Sequence, residues 1–402
     1  MKIWIVNQYA LVPSQSGGTR HHDIAKELAQ RGHEVVVWAS SRHYQTGREA
    51  RQHQGWQPVA EEFSGLTWVW LKTSEYHGNG PRRALNMLSF FFSFLIAARS
   101  MSSHLAKPDI LVGSSVHPFA PLATLLLGRL WKIPSVTEIR DLWPGSLVEA
   151  GVPKFHPAVL LFSLVEKLLY RYSDGLISVL PEAHDVYRQG GMRSERIFVV
   201  PNGTDLDILE PAPRPEQAPF KAAYLGTFGH HNHLQTLIEA AEILHHQHPQ
   251  IEISLIGSGP ERKRLEELIS VKGLTNVHLL SPIAKSEVGT TLQGFDALIF
   301  HLMKNRIFRY GISPNKLFDY LSSGRPVLFA CQSANNPVAQ AKAGLTVPPE
   351  DPQAMANALV FLSLLDPRER TEMGRRGQGY VRSHHTIEAL SSKFEEALRI
   401  CL

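Results

Sequence analysis

The stretch 310–327, YGISPNKLFDYLSSGRPV, contains residues that start and stop a helix. Ser313 is a good N-cap, and Pro314 suits the first helical position, where no backbone N–H is needed. Gly324 with Pro326 ends the helix, because glycine accepts the left-handed conformation of a C-terminal cap and proline cannot continue the helix. The sequence therefore predicts a short helix that begins abruptly at Ser313.

Charged residues in this predicted helix could bind a nucleotide diphosphate. The free backbone amides near residues 314–316 and the helix dipole favour an anion, and Lys316 adds a formal positive charge. Asp319 lies one turn beyond Asn315 on the same face and could accept hydrogen bonds from ribose hydroxyls. The alternative is a surface ion pair between Lys316 and Asp319, which would contribute roughly a few tenths of a kcal/mol.

Two other loops place glycines between a strand and a helix. In GTFGHHNH (226–233) and in the Gly-Gly pair at 17–18, backbone amides could approach a phosphate at a helix N-terminus. A plain tight turn is the alternative for the Gly-Gly pair. The candidate ligand contacts are Gly17, Gly18, Gly226, Thr227 and Gly229. The 17–18 loop has no GxGxxG motif and the next strand ends without an acid, which disfavours a nicotinamide dinucleotide.

Two loops in the first half of the chain contain candidate catalytic residues. His117, in SSVHPF, and Arg140 with Asp141, in EIRDLWP, follow predicted strands at their carboxyl ends. Doubly wound sheets bind ligands at those ends, so these side chains are candidates for chemistry. A histidine satisfied by backbone groups and an ion-paired corner that includes Glu138 are the structural alternatives. The histidines of GTFGHHNH match no zinc-ligand spacing, so no metal is expected.

The composition limits the class of protein and its partners. The chain has 402 residues, of which 43% are hydrophobic and 19% charged, which suits two or three domains with sizeable cores. Residues 1–200 contain 21 Lys and Arg against 16 Asp and Glu, a net charge of +5; residues 201–402 contain 20 against 21. This favours an anionic surface or acceptor for the first half. No nucleic acid is expected, because no run of cations is interleaved with aromatic residues.

The cysteines and the start of the chain indicate the compartment. The chain has 2 cysteines, Cys331 and Cys401, outside any CxxC pattern, which excludes a disulfide framework. The first residues, MKIWIVNQYAL, form a strand and lack the pattern of a secretory signal, so we expect a cytoplasmic protein.

The longest apolar run, ALNMLSFFFSFLIAA (84–98), is flanked by arginines and is shorter than a membrane-spanning helix. Asn86, Ser89 and Ser93 recur at helical spacing and form a weakly polar stripe. One interpretation is a core helix of an α/β domain. The other is a helix that lies on an anionic membrane surface, and a partly covered helix would satisfy both.

Strands alternate with helices in both halves of the chain, which predicts an α/β fold of two doubly wound, Rossmann-like domains facing a central cleft. We predict the N-terminal domain at 1–205 and a proline-rich linker at 206–220, where proline disfavours both helix and central strand. The C-terminal domain is predicted at 221–376. A final helix, 377–402, is expected to return to the N-terminal domain.

The order of these motifs resembles the retaining glycosyltransferases of family four, which have the two-domain GT-B fold. The motifs are the Gly-Gly loop, GHEVVV, the histidine after DILVG, EIRDLWP, VPNGTD (200–205), IGSGPERKRLEEL and PNKLFDYLSSGRPV. The resemblance covers essentially the whole chain. EIRDLWP together with SPNKLFDYLSSGRPV is most similar to the branch that builds O-antigen, capsule and exopolysaccharide repeats.

The resemblance implies a role for each candidate. Gly17 and Gly18 would lie against the donor diphosphate or sugar, and His117 would contact the donor sugar near the reacting carbon. Ile283 would lie in the segment that holds the base through its backbone. Asp319 would bind the ribose as the second acid of the family's Glu-x7-Glu motif. The candidates around the phosphates are Arg309, Gly311, Ile312, Ser313, Pro314, Asn315 and Lys316.

Two positions depart from the family pattern. The first acid of the Glu-x7-Glu motif is Gly311, and the usual Arg-x4-Lys pair of the second domain is Thr227 and Asn232. Both usual diphosphate cations are therefore missing. We expect Lys316, with Arg306 or Arg309, to replace them.

The resemblance implies transfer of a hexosyl or N-acetylhexosaminyl unit, with retention, from a UDP-sugar. The acceptor would be a polyisoprenoid-diphosphate-linked saccharide at the inner face of the cell membrane, in the synthesis of lipopolysaccharide or another surface polysaccharide, without cofactor or metal. Two alternatives stay open. One is a UDP-sugar 2-epimerase of the same fold, and the other is a non-catalytic nucleotide-sugar-binding subunit, which the glycine at 311 permits.

Overall fold

The computed structural model describes residues 1–402 except 16, 45–46, 77, 79, 104, 150, 205, 207 and 209–217. The described residues divide into two compact units. Unit 1 consists of Met1–Pro201 and Ile387–Leu402, and unit 2 consists of Asn202–Thr386. The boundary lies at 201/202, whereas the sequence placed it at 205/206. Most of the proline-rich segment predicted as a linker, 209–217, lies outside the described residues.

Unit 1 is built on a sheet that is parallel except for one edge strand. The described strands are β1 (Lys2–Val6), β2 (Glu34–Ser40), β3 (Val59–Phe63), β4 (Leu66–Leu71), β5 (Ile110–Ser115), β6 (Ser135–Ile139), β7 (Gly175–Ser178) and β8 (Ile197–Val199). Their order is β3-β4-β2-β1-β5-β6-β7-β8, and β3 pairs antiparallel with β4. The chain reverses its direction of winding between β1 and β5, which makes their carboxyl ends the expected ligand position.

Helices cover both faces of this sheet. The α-helices within residues 1–201 are α1 (Arg20–Gln30), α2 (Pro81–Ser100), α3 (Phe119–Trp131), α4 (Gly145–Glu149), α5 (Pro157–Tyr172) and α6 (His184–Gln189). One core cluster joins α1 to the sheet, whereas α2 and α3 pack on the sheet through another. The nearly unbroken apolar strands, such as EVVVWAS, fit a parallel sheet buried on both faces.

The helix predicted from the apolar run is α2, and its polar stripe faces inward. Asn86 Nδ2 donates to the carbonyl of Ser74 at 2.5 Å, and Ser93 Oγ donates to the carbonyl of Lys72 at 3.1 Å. Phe90 is fully buried. This face of α2 is therefore a core face. Over the described residues, no helix combines the length and apolarity needed to cross a bilayer.

Unit 2 contains a parallel sheet in the order β11-β10-β9-β12-β13-β14. The strands are β9 (Phe220–Leu225), β10 (Ile251–Ile256), β11 (Val277–Leu280), β12 (Ala297–His301), β13 (Val327–Ala330) and β14 (Gly344–Val347). The helices are α7 (Gln235–Gln247), α8 (Arg262–Lys272), α9 (Val288–Gln293), α10 (Asn315–Ser322), α11 (Pro337–Ala341), α12 (Pro352–Leu364) and α13 (Pro367–His384). The winding reverses between β9 and β12. Short 3-10 helices occur at Met101–Ser103, Ser194–Arg196, His230–Asn232, Lys285–Glu287 and Arg306–Tyr310.

The C-terminal segment contains two helices, whereas the sequence predicted one helix over 377–402. Residues 377–384 belong to α13 and pack on α10, where Gly377 and Gly374 allow close approach to Leu321 and Gly324. The helix that returns to unit 1 is α14 (Ile387–Cys401), which packs against α1. The predicted return of a C-terminal helix and the two doubly wound α/β units are confirmed.

Candidate functional site

The candidate donor loops of unit 2 follow β9 and β12, the two strands between which the winding of the sheet reverses. The loop after β9 contains Gly226, Thr227 and Gly229, and the segment after β12 leads to α10. Gly226 has a φ of 155°, which a residue with a side chain rarely adopts. The structure thus brings the predicted glycine loop and the predicted helix start to the carboxyl edge of one sheet.

Two glycines that sequence reasoning did not assign shape the same edge. A Cβ on Gly257 would lie 1.9 Å from the carbonyl oxygen of Gly226, and one on Gly259 would lie 2.5 Å from that of Phe228. The backbone amide of Phe228 also donates to the carbonyl of Ser258 at 2.8 Å. The backbone after β9 therefore packs directly on the IGSG segment after β10. The available signal was the spacing of the glycines in IGSG.

Lys316 projects from the first turn of α10 to the loop after β9. Its Nζ donates to Asn232 Oδ1 at 2.5 Å and to Tyr224 Oη at 3.0 Å. Asn232 Nδ2 and Tyr224 Oη in turn donate to the carbonyl of Thr227, at 3.0 and 2.8 Å. The Lys316 amine therefore contacts one of the two loop positions where the family pattern would have its cations, 232, and is linked to the other, 227, through Asn232 and Tyr224.

The surroundings of the Lys316 amine are mostly apolar or neutral. Burial lowers the pKa of Lys316 to about 7. Its Nζ lies 4.6 Å from the ring centre of Tyr224 and 5.3 Å from that of Phe300. A diphosphate bound beside this amine would favour its protonated form, because the negative charge of the diphosphate stabilises the positive charge.

Asn232 is itself held in place by a buried histidine that the sequence did not single out. His301 Nδ1 donates to the carbonyl of Asn232 at 2.8 Å, and its Nε2 accepts from the backbone amide of Glu350 at 3.1 Å. Burial lowers the pKa of His301 to about 4, so the ring is neutral at physiological pH. His301 therefore positions the acceptor of the Lys316 hydrogen bond.

The start of α10 differs by one residue from the prediction. Pro314 is the N-cap and Asn315 the first helical residue, and Pro314 has no side-chain hydrogen-bond acceptor for the first turn. The Ser313 hydroxyl instead accepts a hydrogen bond from the backbone amide of Asn202 at 2.7 Å, and Asn202 Nδ2 donates to the carbonyl of Ser313 at 2.5 Å. The predicted N-cap at Ser313 is wrong because Asn202 takes its hydroxyl. Ser313 anchors the loop before the helix.

The peptide groups before Ser313 are also fixed. The amide of Ile312 donates to Asn335 Oδ1 at 2.7 Å, and Asn335 Nδ2 donates to the carbonyl of Ile312 at 2.9 Å. Gly311 has a φ of 86° and a ψ of 168°, a region essentially confined to glycine. The conformation of this backbone thus disfavours an acidic side chain at 311.

We therefore expect Gly311→Glu to destabilise unit 2 without improving catalysis. Placing a side chain in this backbone region should lower the free energy of unfolding by about 1–3 kcal/mol. Gly311→Ala should cost a similar amount, because the strain arises from the Cβ. Circular dichroism melts would measure the loss, and tryptophan emission would monitor unit 1, which contains all 7 tryptophans.

The matched control for these variants is Gly229→Ala. Gly229 has a φ of −105°, and the nearest neighbour of an added Cβ would be Asn232 Nδ2, at 3.7 Å. A Gly311→Glu protein as stable as the parent, or one that transfers sugar faster, would contradict this explanation of the missing acid.

The other donor candidates of unit 2 lie around the same edge. Asn315 and Asp319 are partly buried and occupy the first two turns of α10. Ile283 follows β11 and packs against a core cluster that includes Leu317. Arg309 is exposed and donates to the hydroxyl of Tyr310 at 2.6 Å, with its guanidinium 4.7 Å from that ring centre. Their roles in donor binding stay predictions.

In unit 1, the Gly-Gly pair follows β1 and precedes α1. Gly17 has a φ of 140°, and a Cβ there would lie 2.5 Å from Leu11 Cδ1 and 3.0 Å from the Tyr44 hydroxyl. Gly17 and Gly18 are exposed. Glycine is therefore required at 17 by this turn, which agrees with the tight-turn alternative and leaves the donor contact a prediction.

His117 lies at the carboxyl end of β5 but has no exposed surface. Its Nδ1 accepts from the backbone amide of Phe119 at 3.2 Å, so Nε2 carries the hydrogen and donates to Gln8 Oε1 at 2.5 Å. Gln8 Nε2 then donates to Asn86 Oδ1 on α2 at 2.5 Å. Burial, with a smaller contribution from Arg83, lowers the pKa of His117 to about 3. His117 is a neutral donor, and contact with a sugar would require Gln8 to release Nε2.

Arg140 and Asp141 follow β6, beside the segment that carries His117. The backbone amide of Arg140 donates to Ser115 Oγ at 3.2 Å, which links the ends of β5 and β6. Asp141 is exposed, whereas Glu138 is fully buried. The structure therefore separates EIRDLWP into an inward acid and two residues nearer the surface.

Glu138 forms the centre of a buried ion cluster in unit 1. Arg20 Nε lies 2.9 Å from Glu138 Oε1, and His21 Nε2 lies 2.6 Å from Oε2. His21 Nδ1 accepts from Asn7 Nδ2 at 3.0 Å, so Nε2 is the protonated nitrogen. Burial alone would raise the pKa of Glu138, but Arg20 and His21 outweigh it and hold that pKa well below its ordinary value. Glu138 is therefore ion-paired with Arg20 and His21 of α1, which lie outside EIRDLWP.

The described residues contain no group of three or more His, Cys, Asp or Glu side chains placed to hold a metal ion. What the geometry of unit 2 supplies is a set of donors for an anion: the amides at the start of α10, the Lys316 amine and glycine-lined backbone.

Comparisons with known proteins identify the fold and the family. The chain resembles sucrose-phosphate synthase from Thermosynechococcus elongatus, with a TM-score of 0.74 and 18% identity over 99% of this chain and 98% of that chain. It also resembles Anabaena HepE in complex with UDP and glucose, with a TM-score of 0.66 and 16% identity over 99% of both chains. For α,α-trehalose-phosphate synthase (UDP-forming) from Burkholderia vietnamiensis the TM-score is 0.71, with 13% identity over 99% of both chains. The fold is GT-B, as predicted.

A family model matches most of each unit. A glycosyl transferase 4-like domain matches residues 17–203, and a glycosyl transferases group 1 domain matches residues 219–364. D-inositol 3-phosphate glycosyltransferase from Corynebacterium urealyticum is 29% identical over 221 residues, which span 49% of this chain and only 50% of that relative. Each unit therefore matches a glycosyl transferase family, and the predicted class of enzyme, a glycosyltransferase, is confirmed at that level.

Proposed function

We propose that this protein transfers a sugar, with retention, from a UDP-sugar to a lipid-linked saccharide in the synthesis of a surface polysaccharide. The family supports sugar transfer, and Anabaena HepE, which shares the fold, is in complex with UDP and glucose. EIRDLWP and SPNKLFDYLSSGRPV favour the polysaccharide branch and an acceptor at the cytoplasmic face of the membrane.

The observation that carries the proposal is the position of Lys316. Its amine joins the start of α10 to the loop after β9. This contact lies at the carboxyl ends of the strands, where the winding of the unit 2 sheet reverses between β9 and β12. A diphosphate bound there would meet the helix dipole, the backbone amides at the start of α10 and the Lys316 amine. Asp319, a turn deeper, would accept the ribose hydroxyls.

This arrangement suits the charge that develops during transfer. As the bond from the anomeric carbon to the diphosphate breaks, negative charge grows on the departing phosphate oxygens. Donors that already point at those oxygens stabilise that charge without reorganising, which is the usual main source of catalysis in such sites. In front-face attack, the departing phosphate oxygen would take the proton of the acceptor hydroxyl. No metal is then required.

A panel of nucleotide sugars would test the proposal with the purified full chain. One UDP-sugar should raise the melting temperature, because a ligand at about 100 times its Kd stabilises the native state by about 2.7 kcal/mol. With a synthetic polyprenyl diphosphate saccharide, that donor should yield UDP and an extended lipid whose new bond keeps the anomeric configuration of the donor.

Other outcomes distinguish the alternatives. Conversion of the donor to an isomer of equal mass without acceptor would indicate the 2-epimerase. Donor binding with neither hydrolysis nor transfer, across a panel of acceptors, would favour the non-catalytic binding subunit. Absence of any nucleotide-sugar binding would contradict the proposal.

A further inference from the structure

The helices α2, α3 and α5 lie side by side as one layer over a face of the unit 1 sheet. Their inner sides are buried: Phe90 and Phe94 of α2 pack with Ala120 and Ala123 of α3, and Phe119 of α3 packs with residues of α5. Core packing therefore determines which side of each helix faces outward. We call the outer side of this layer the α2–α3–α5 surface.

The α2–α3–α5 surface is apolar at its centre. On α2, Leu85, Phe92 and Ile96 follow one another at spacings of seven and four, which places them on one face of the helix. The exposed apolar side chains of the layer are Leu85, Phe92, Ile96, Leu126, Leu130, Leu160, Leu161 and Leu164, with exposed fractions of 46–69%. Phe155, two residues before α5, is 88% exposed. So many exposed apolar side chains on adjacent helices indicate an interaction surface.

The same surface is basic and has no exposed carboxylate on its helices. The sequences of α2, α3 and α5 contain a single acid, Glu166. Glu166 is buried and accepts a hydrogen bond from the backbone amide of Trp143 at 2.7 Å. Burial raises the pKa of Glu166 to about 8, so at neutral pH it is mostly protonated. The exposed cations of the layer are Arg82, Arg99, Arg129, Lys167 and Arg171.

We infer that the α2–α3–α5 surface docks on an anionic lipid bilayer, with its leucine, isoleucine and phenylalanine side chains among the acyl chains and its cations at the headgroups. Apolar side chains bordered by Lys and Arg are the pattern of a protein that lies in a membrane interface. Each cation near an anionic bilayer surface contributes about 1 kcal/mol. The inference extends the proposed function by naming the surface that would meet the membrane. It rests on the proposed function only for the reason why the protein would bind a membrane.

A second copy of the chain fits this surface less well. In a symmetric dimer the same patch contacts itself. The cations of one α2–α3–α5 surface would then face those of the other with no carboxylate between them, which opposes association. A bilayer that contains anionic lipids complements both the apolar centre and the charge.

The inner side of α5 connects this surface to EIRDLWP, the segment that contains the candidate catalytic residues Arg140 and Asp141. Glu166 holds the backbone of Trp143, and the ring of Trp143 lies 5.1 Å from that of Phe162 on α5. Trp143 belongs to EIRDLWP, two residues after Asp141. Docking through α5 would therefore place Arg140 and Asp141 near the bilayer, where a polyisoprenoid acceptor resides.

Flotation of the full chain with vesicles tests the inference. Vesicles of phosphatidylcholine mixed with phosphatidylglycerol should carry the protein, whereas pure phosphatidylcholine should carry much less. Ile96→Gln with Leu164→Gln should lower the bound fraction by tenfold or more, and Arg82→Glu with Lys167→Glu should do the same and reduce the salt dependence. The thermal shift caused by a UDP-sugar should stay unchanged in both double variants, so membrane binding and donor binding can fail independently.

The control is a matched pair of exposed apolar residues in unit 2. Phe361 and Leu364 of α12 are 51% and 80% exposed, and Phe361→Gln with Leu364→Gln should leave flotation unchanged. Three results would overturn the inference: no flotation with anionic vesicles at low salt, an equal loss in the α12 control, or a dimer in sedimentation velocity that Ile96→Gln with Leu164→Gln dissociates.

Discussion

Replacing Lys316 by Gln should weaken the binding of a UDP-sugar by about 10- to 100-fold. A hydrogen bond that involves a charged group contributes about 1.5–3 kcal/mol, which corresponds to this range of affinity. The effect should be large because the family cations are absent at Thr227 and Asn232, and the Lys316 amine contacts Asn232 directly. Calorimetric titration of the variant would measure the change.

A control and a rescue make this prediction specific. Lys304 is exposed after β12, and Lys304→Gln removes the same charge from unit 2 without touching the Asn232 loop. It should change the affinity less than twofold. Lys316→Asn combined with Asn232→Lys moves the cation to the loop, and this exchange should recover most of the affinity that Lys316→Asn alone loses. Equal losses in the Lys316 and Lys304 variants would contradict the role of Lys316.

The same amine should make donor binding depend on pH. The pKa of Lys316 is lowered to about 7 in the free protein, and a bound diphosphate would raise it. The contribution of the charge is thus fully present below about pH 7 and decreases as the pH rises through the pKa of the free amine. Affinity should fall above neutrality in the parent and stay nearly flat in Lys316→Gln.

The neighbours of Lys316 should not produce this slope. Burial raises the pKa of Cys331 to about 12 and that of Tyr224 well above its ordinary value, and burial lowers the pKa of His301 to about 4. The diphosphate of a UDP-sugar stays fully ionised across this range. Any slope that survives in Lys316→Gln would belong to other groups. An equal slope in both proteins would refute the assignment to Lys316.

The sequence predicted the features that depend on local pattern. Alternating strands and helices identified both doubly wound units, and the carboxyl ends of predicted strands located His117, Arg140 and the glycine loop at 226. Helix-stop chemistry located the end of α10. These features follow from periodicity and from glycine and proline, which act within a few residues.

Pairings between distant residues could not be predicted in this way. The Lys316 amine meets Asn232, 84 residues earlier, and the Ser313 hydroxyl meets Asn202, 111 residues earlier. The second of these pairings removed the expected N-cap, because a long-range partner competed for the hydroxyl. The burial of His117 by Gln8 has the same origin, since Gln8 follows β1 and reaches His117 only once β1 and β5 have paired.

Glu138→Ala should destabilise unit 1 by about 3–5 kcal/mol, the usual cost of removing one partner from a buried ion pair. The loss should be large because Arg20 would keep its charge in a site where its side chain is only 4% exposed. Arg20 also donates to the carbonyls of Val200 and Pro201, at 2.8 and 2.6 Å, so that one cluster joins α1 to the segment after β8. Because all 7 tryptophans lie in unit 1, urea unfolding followed by tryptophan emission reports this unit selectively.

A double-mutant cycle separates the interaction free energy between Arg20 and Glu138 from the contribution that each residue makes alone. Arg20→Met combined with Glu138→Gln removes both charges, and it should cost less than the sum of the single changes, because neither partner is left buried with an uncompensated charge. Glu182→Ala, an exposed acid of the same unit, should change the free energy of unfolding by less than about 0.5 kcal/mol. Additive losses in the cycle would show that Arg20 and Glu138 stabilise unit 1 independently.

The cluster should also make unit 1 sensitive to acid. The pKa of Glu138 is held well below its ordinary value, and burial lowers the pKa of His21. The unfolded chain therefore binds protons on both groups before the folded chain does. The stabilisation is fully present above the unfolded pKa of His21 and is lost progressively as the pH falls, first through His21 and then through Glu138. Glu138→Gln should remove the Glu138 part of this dependence, so its unfolding free energy should approach that of the parent as the pH falls below about 4.5.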